Sequence, residues 1–220
     1  MLLDFHSHIS SENSIVCTDT PDEMPSKKAL VRCLGLLPDK WSQRLEDILC
    51  NALSNDNSLQ LGEVGLDRRF EKAMSMHQQT EALEREIRFA ISLGRSISLH
   101  CVRETGRMIK LLSELKFRPF SILWHGFSGS AETAAELYRM GIIISIGPNF
   151  HGDIQKLFQA NPMLALETDY TGSDENEHQR ILQTHYHSIS LTLGLKSDQL
   201  EKHCANVFTA FCGRSLCDIE

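Results

Sequence analysis

The sequence predicts an α/β chain folded as a (β/α)8 TIM barrel, abbreviated near its first βα unit. Three observations predict it. Eight short apolar runs with strand character lie along the 220 residues. Helical patterns follow most of them, and alternating strand and helix builds a parallel sheet. Several of the runs end in an ionisable residue. Eight parallel strands favour a closed ring over an open sheet, and a ring gathers all such ends at one mouth.

The first run, 2–6, is LLDFH. The second, 14–18, follows after only residues 9–13. A parallel crossover needs about a dozen residues or more. Either the first helix is missing and the ring is shortened here, or 14–18 is not a barrel strand. A polar turn region, 21–28, leads to the third run, 31–36, and the fourth is 59–64. The clearest helical pattern, 75–94, comes next: Leu83, Ile87, Ala90 and Ile91 keep one face, and Gly94 supplies a C-terminal stop. Run 97–101 precedes a helix at 106–115, and run 121–125 precedes one at 131–140. Runs 142–146 and 163–167 complete the set. An acidic stretch with Gly and Ser, 171–178, reads as a loop before a last helical pattern at 179–193. With no internal repeat, low-complexity tract or linker, residues 1–220 read as a single domain.

Composition narrows the function. The formal net charge is −7, which counts against an extended basic groove for long duplex nucleic acid. It leaves room for a short phosphate site in which metal ions supply the positive charge. No stretch approaches ~18 uninterrupted apolar residues, so no membrane span is expected. The N-terminus lacks the features of a secretory signal. Seven cysteines, odd in number and irregularly spaced, read as free thiols of a reducing cytosol, and a cytoplasmic protein is expected. A zinc knuckle at Cys204, Cys212 and Cys217 is the weaker reading.

The strand ends carry the chemistry. Residues i and i+2 of a strand point to one side, so His6 and His8 can converge on one ion. His185 and His187 share the spacing but sit in a helical pattern, where such residues diverge, and they read as solvated helix surface. The fourth strand ends in Leu61-Gly62-Glu63-Val64-Gly65-Leu66-Asp67, the fifth in His100, the sixth in His125, and the eighth in Leu166-Glu167-Thr168-Asp169. An ionisable group there must find a partner or it costs folding free energy. Four histidines and two carboxylates without a thiolate suit a divalent ion. Six groups exceed what one four-coordinate ion needs. Two ions about 3.5–4 Å apart, sharing a carboxylate, use them all, and their expected chemistry is hydrolysis.

These stretches, in order, resemble the TatD family of metal-dependent deoxyribonucleases within the amidohydrolase-like barrels. The resemblance is carried by Asp4-Phe5-His6-Ser7-His8, Gly35-Leu36-Leu37-Pro38, Gly62-Glu63-Val64-Gly65-Leu66-Asp67, His100-Cys101-Val102-Arg103, His125-Gly126-Phe127-Ser128-Gly129-Ser130, Ser145-Ile146-Gly147 and Glu167-Thr168-Asp169. It covers nearly the whole chain. It implies that His6, His8, Glu63 and Asp169 hold one ion and that Glu63, His100 and His125 hold a second, with Glu63 bridging. It also implies that Asp169 accepts a proton from the attacking water. The implied cofactors are two divalent ions, zinc, magnesium or manganese, and the implied partner is DNA. Because the expected positive potential is local, short or single-stranded ends are expected to suit the chain better than long duplex. The chain departs from the pattern at Leu37, where the family carries a histidine. It departs again at Val102, where the family carries an arginine that here follows as Arg103. The 206–211 stretch keeps Asn206 and Phe211 but lacks the family's arginine. These departures keep two alternatives open: an amide, ester or lactone hydrolase on the same scaffold, or a non-catalytic partner subunit.

Smaller features carry paired readings. Ser128 and Ser130 either offer hydroxyls to a phosphate or cap the following helix. Arg103 either balances substrate charge or pairs with an acid such as Glu104. Asp67 reads as a partner of a ligand histidine, and Asp4, aimed with His6 and His8, as another orienting group. Trp124 and Cys101 read as packing residues. His77, His151, His178 and His203 read as surface, with His151 close enough to the seventh strand to matter.

Overall fold

Seven consecutive parallel ladders join eight strands in chain order. The strands are β1 (Asp4–Ser7), β2 (Ser14–Cys17), β3 (Val31–Leu36), β4 (Leu59–Asp67), β5 (Ile97–Val102), β6 (Ile122–Trp124), β7 (Ile142–Ile146) and β8 (Leu164–Leu166). The structure is a computed structural model that describes residues 1–25 and 27–213. All eight expected strands form, and the chain is a (β/α)8 barrel shortened at its start. β1 and β2 are parallel neighbours with only a short turn between them. The seam between β8 and β1 closes just past the end of β8, where Asp169 N–H donates to His6 O at 2.9 Å and His8 N–H to Tyr170 O at 2.9 Å.

Helices cover the outside: α1 (Gln43–Asn55), α2 (Met76–Ser92), α3 (Thr105–Ser113), α4 (Ala131–Arg139), α5 (Ile154–Ala160), α6 (Glu175–Leu193) and α7 (Ser197–Cys212). In α2, the Ser75 hydroxyl accepts from Gln78 N–H and Gln78 returns the bond, a reciprocal cap that satisfies two otherwise open donors. Gly94 follows α2 with φ +69, the left-handed stop its position predicts. The first two strands have no helix of their own, and the C-terminal helices cover for them. Tyr186 of α6 accepts from Leu3 N–H at 3.2 Å and donates to Leu3 O at 2.8 Å. Phe208 of α7 meets the outward-facing Phe5 edge-on at 6.4 Å.

Three helices go beyond the sequence reading: α1, α5 and α7. The stretch read as a loop at 171–178 gives way to α6 from Glu175. The cause is local. The Asp174 side chain accepts from Asn176 and Glu177 N–H, and Glu175 and Glu177 place negative charge at the positive end of the helix. His178 and His185 of α6, read as surface, are buried. Cys17, Cys33, Cys50, Cys101 and Cys204 are free thiols; Cys217, and with it the zinc-knuckle reading, lies outside the described residues. No described helix is long and apolar enough to cross a membrane.

A buried carboxyl of α2 lies away from the metal-ligand cluster. Glu86 of α2 is 4% exposed, and its Oε1 has no hydrogen-bond partner. Burial and the nearby Glu46 push its carboxyl well above the usual carboxylate range, while Glu46 itself is forked by Arg85 at 3.0 and 3.0 Å. A raised folded-state value means the stabilising form is the protonated one. Its contribution is full below the ordinary value of 4.5 and fades as pH rises through the raised one. Glu86→Gln is therefore expected to melt about 2–6 °C above the unsubstituted protein near pH 8, with the difference vanishing near pH 4. Thermal unfolding followed by circular dichroism at the two pH values reads this directly.

Candidate metal centre

The six candidate side chains reach the mouth from five strands. His6 lies in β1 and His8 one residue past it, Glu63 in β4, His100 in β5, His125 just after β6, and Asp169 three residues after β8. The alternation that predicts His6 and His8 on one side holds. Their rings meet edge-on with centroids 5.1 Å apart.

Glu63 owes its position to a bulge. Leu61 and Val64 of β4 pair with Leu34 and Leu36 of β3 and with Ile97 and Leu99 of β5, so three steps on β4 face two on each neighbour. The extra residue lies in Gly62-Glu63, and a bulge re-aims a side chain. The Glu63 N–H leaves the regular ladder and donates to Thr18 O at 2.8 Å. β4 and β5 also approach closely one turn of pleat later. A Cβ on Gly65 would stand 1.8 Å from His100 O, so only glycine fits there.

The carboxylate of Glu63 faces two groups of ligands with its two oxygens. Oε2 lies 3.5 Å from His6 Nε2 and 3.6 Å from His8 Nε2. Asp169 Oδ1 completes that set at 3.8 Å from His6 and 3.5 Å from His8. On the other side, Oε1 lies 2.6 Å from His100 Nδ1 and 2.9 Å from His125 Nε2, and the two rings approach to 3.3 Å. Thus all six residues expected to hold metal come together. The first set is too widely spaced for hydrogen bonds. Its separations match the edges of a tetrahedron about a zinc-sized ion, about 3.4 Å for bonds of 2.0–2.2 Å. His6 Nε2 is buried and has no hydrogen-bond partner, so the arrangement leaves a buried donor atom aimed between two carboxylates.

The electrostatics fit a cation as well. Burial disfavours a charge on His6, yet Cys17 and Glu63 outweigh it and push the imidazole up to about 9. Burial likewise opposes charge on His8 and His125. Asp169 and Glu63 raise the first, and Glu63 and Glu167 raise the second. Burial would raise the Glu63 carboxyl, but His125, His100 and His6 hold it well below the usual range. Asp169 is lowered in the same way, with burial overcome by His8 and His6. The cluster calls for positive charge between its carboxylates, and a divalent ion on these N and O donors supplies it.

Around the six, Asp67 Oδ2 accepts from His100 Nε2 at 3.0 Å and is itself forked by Arg69, at 3.0 Å through Nε and 2.5 Å through Nη2. This is the partner of a ligand histidine that the sequence suggests. Asp4 is bonded to several neighbours. It touches the main-chain N–H of His6 at 3.2 Å and not its ring, and its strong bonds go to Thr168 and to His178. β1 carries a bulge here, where Asp4 pairs with Ser14 and Ser7 with Val16.

The residues expected to meet substrate sit at exposed positions. Ser130 caps α4, accepting from Thr133 N–H. Ser128 is exposed at the rim. Arg103 is exposed, with φ 59, and its guanidinium forms no hydrogen bond or ion pair among the described residues. Glu104 is held by Arg68 and Arg107 instead. Three histidines read as surface are not. His178 is fully buried and donates from Nε2 to Asp4 Oδ2 at 2.7 Å. His185 is 5% exposed and donates to Ile146 O at 2.9 Å. His203 is half-buried on Leu164 O at 2.7 Å. Each meets an acceptor on a neighbouring element, which helical periodicity alone does not reveal. His77, His151 and His187 are exposed, as read.

Two groups at the mouth were not singled out from sequence. Ser98 Oγ lies 3.3 Å from His6 Nδ1 and fixes that ring. Glu167 is 1% exposed and accepts from Gly126 N–H at 2.7 Å and from the Ser145 hydroxyl. It therefore ties the loop carrying His125 to β7 and the end of β8. The signal for Glu167 was present: it shares parity with Asp169 in the same strand-end stretch.

A family model described as "TatD related DNase" matches residues 6–213. The chain is 24% identical over 107 residues to the human "3'-5' RNA nuclease TATDN2". That match takes in 49% of this chain but only 14% of the relative's length. Among solved structures, the YJJV TatD homologue of Escherichia coli superimposes with a TM-score of 0.76 at 19% identity, covering 97% of this chain and 99% of that one. A TatD family hydrolase of Entamoeba histolytica gives 0.66 at 16% identity, covering 83% and 74%. An uncharacterised amidohydrolase of Saccharomyces cerevisiae gives 0.63 at 13%, covering 81% and 80%. At these identities the structures speak to the fold.

Proposed function

The chain belongs to the TatD-related DNase family, and from that premise we propose that it hydrolyses phosphodiester bonds in DNA, acting on short or single-stranded ends with two divalent ions, zinc, magnesium or manganese. The observation that carries the proposal is Glu63, whose two carboxylate oxygens face two separate ligand sets. His6, His8 and Asp169 would hold one ion with Glu63, and His100 and His125 the other. When bound, such a pair polarises a phosphoryl oxygen and makes water a stronger acid.

The chain's own residues supply the rest. Asp169, with its side chain half-exposed at the mouth and its main chain tied to His6 O, is placed to take the proton that an attacking water gives up. Asp67 accepts the Nε2 proton of His100, which turns Nδ1 towards Glu63. Glu167 and Ser145 hold the loop that presents His125. Arg103, exposed and unpaired among the described residues, is available to a substrate phosphate, and Ser128 offers a hydroxyl at the rim. The free thiols of Cys17, Cys33, Cys50, Cys101 and Cys204 support a reducing, cytoplasmic setting. A second reading, RNA as the polymer, is favoured by the RNA nuclease among the relatives.

The test is a time course on metal-stripped protein given back zinc, magnesium or manganese. Its substrates are end-labelled single-stranded DNA, duplex DNA and RNA of one sequence, beside an ester, an amide and a lactone. The expected result is cleavage of single-stranded DNA from its ends, restored by an ion and removed by a chelator. Turnover of an acyl substrate or lactone with no phosphodiester cleavage under any ion would overturn the proposal.

A further inference from the structure

Beside the metal centre, between the loops that follow β6 and β7, lies a cavity of about 350 Å³. Asp169 and Gly126, the neighbour of His125, form its inner wall, so it opens directly onto the cluster. Its outer wall is Ser128, Asn149, Phe150 and His151. No lysine or arginine lines it. With Glu167 and Asp169 in the wall as well, the cavity disfavours an anionic group, and a phosphate belongs at the centre itself.

The wall has one apolar face and several open polar groups. Phe150 is half-buried, packed against the core on one side, and its N–H donates to Gly147 O at 3.1 Å, which fixes the turn. Its ring lies over Gly152, where a Cβ would stand 2.4 Å from the ring's Cζ. The glycine gives the aromatic its seat. Phe127 repeats the arrangement over Gly129 on the preceding loop. The side chains of Ser128, Asn149 and His151 are exposed and make no hydrogen bond among the described residues. An anchored aromatic face flanked by unengaged amide, imidazole and hydroxyl groups suits a flat heteroaromatic ring with polar edges and a sugar. The volume stands at the low end of ligand pockets, roughly 300–1,000 Å³, which is room for one nucleoside and not for a longer segment.

We propose that this cavity takes the nucleoside next to the phosphate being cleaved, its base stacked on Phe150 and its polar edges met by Asn149, His151 and Ser128. The inference deepens the nuclease reading and rests on it for the identity of the ligand. It makes Phe150 a residue that favours terminal or unpaired nucleotides, since a base in a duplex cannot leave its stack without cost.

The test measures binding, which needs no turnover. Deoxyadenosine 5′-monophosphate and 2-deoxyribose 5-phosphate, which share phosphate and sugar and carry adenine or a hydroxyl at C1′, are titrated calorimetrically into the full chain in magnesium. Saturation-transfer NMR records contact with the base protons. The unsubstituted protein is expected to prefer the nucleotide by about five- to hundredfold, the range for one stacked base. Phe150→Leu, which keeps apolar bulk, is expected to lose the preference, and Phe150→Trp to keep it, with unchanged melting in both. Equal binding of the two ligands by the unsubstituted protein, or an undiminished preference in Phe150→Leu, overturns the site. If the preference depends on Phe150 yet no oligonucleotide is cleaved, the nuclease reading fails and the nucleoside site stands. If oligonucleotides are cleaved while both ligands bind alike, the site fails and the reading stands.

Discussion

Glu63→Gln is expected to remove ion binding from the mouth of the barrel and to lower metal-dependent hydrolysis by about 10³-fold or more, several kcal/mol of lost electrostatic stabilisation. The substitution keeps the shape of the side chain and changes its charge and one of its two acceptor oxygens. Both oxygens are in use. One faces His6 and His8 at 3.5 and 3.6 Å, the other His100 and His125 at 2.6 and 2.9 Å. Whichever way the amide turns, one set of imidazoles meets an N–H where an acceptor stood. The loss of charge adds to this, because Glu63 is among the groups that raise His6, His8 and His125. Ion content after equilibrium dialysis gives the first readout and a turnover time course the second. A folded Glu63→Gln protein that keeps two ions and full activity would end the bridging role.

How far the site was legible depends on which force places each residue. Local backbone geometry placed His6 and His8: two-residue periodicity puts them on one side before any tertiary contact is known. The rule that barrel strands present their C-terminal ends at one mouth gathered Glu63, His100, His125 and Asp169. Hydrophobic patterning indicated the eight strands, because apolar runs bounded by polar turns are a property of the chain itself. What the sequence did not disclose comes from packing between distant segments. The extra residue at Gly62-Glu63 appears only when β3 and β5 pair on either side of β4. The burial of His178 and His185 depends on where α6 docks, and helical spacing says nothing about that. Arg103 illustrates the converse. Its shifted position was visible in sequence, but its exposed, unpaired state required the neighbours of Glu104 to be known.

Asp4 joins these two kinds of information, and its removal is the second large effect. Asp4 is 1% exposed. Oδ1 accepts from Thr168 N–H at 2.9 Å and His6 N–H at 3.2 Å, and Oδ2 from the Thr168 hydroxyl at 2.6 Å and His178 Nε2 at 2.7 Å. These bonds sit on the seam where β8 returns to β1, and Thr168 is the residue before Asp169. Asp4→Ala is expected to cost about 3–5 kcal/mol of stability, since it strands several buried donors at once. It is also expected to weaken ion binding, because the loop that carries Asp169 loses its anchor. Asp4→Asn separates bonding from charge. Its carbonyl keeps the two main-chain donors, and its amide can donate to a His178 that carries its proton on Nδ1 instead. The asparagine variant is therefore expected to fall between the parent and Asp4→Ala in both denaturant unfolding and ion affinity. Equal losses in the two variants would assign the seam to the carboxylate's charge and not to its hydrogen bonds. A destabilised Asp4→Ala protein with undiminished ion affinity would show that Asp169 is held by its own main-chain bond to His6, with Asp4 serving the barrel alone.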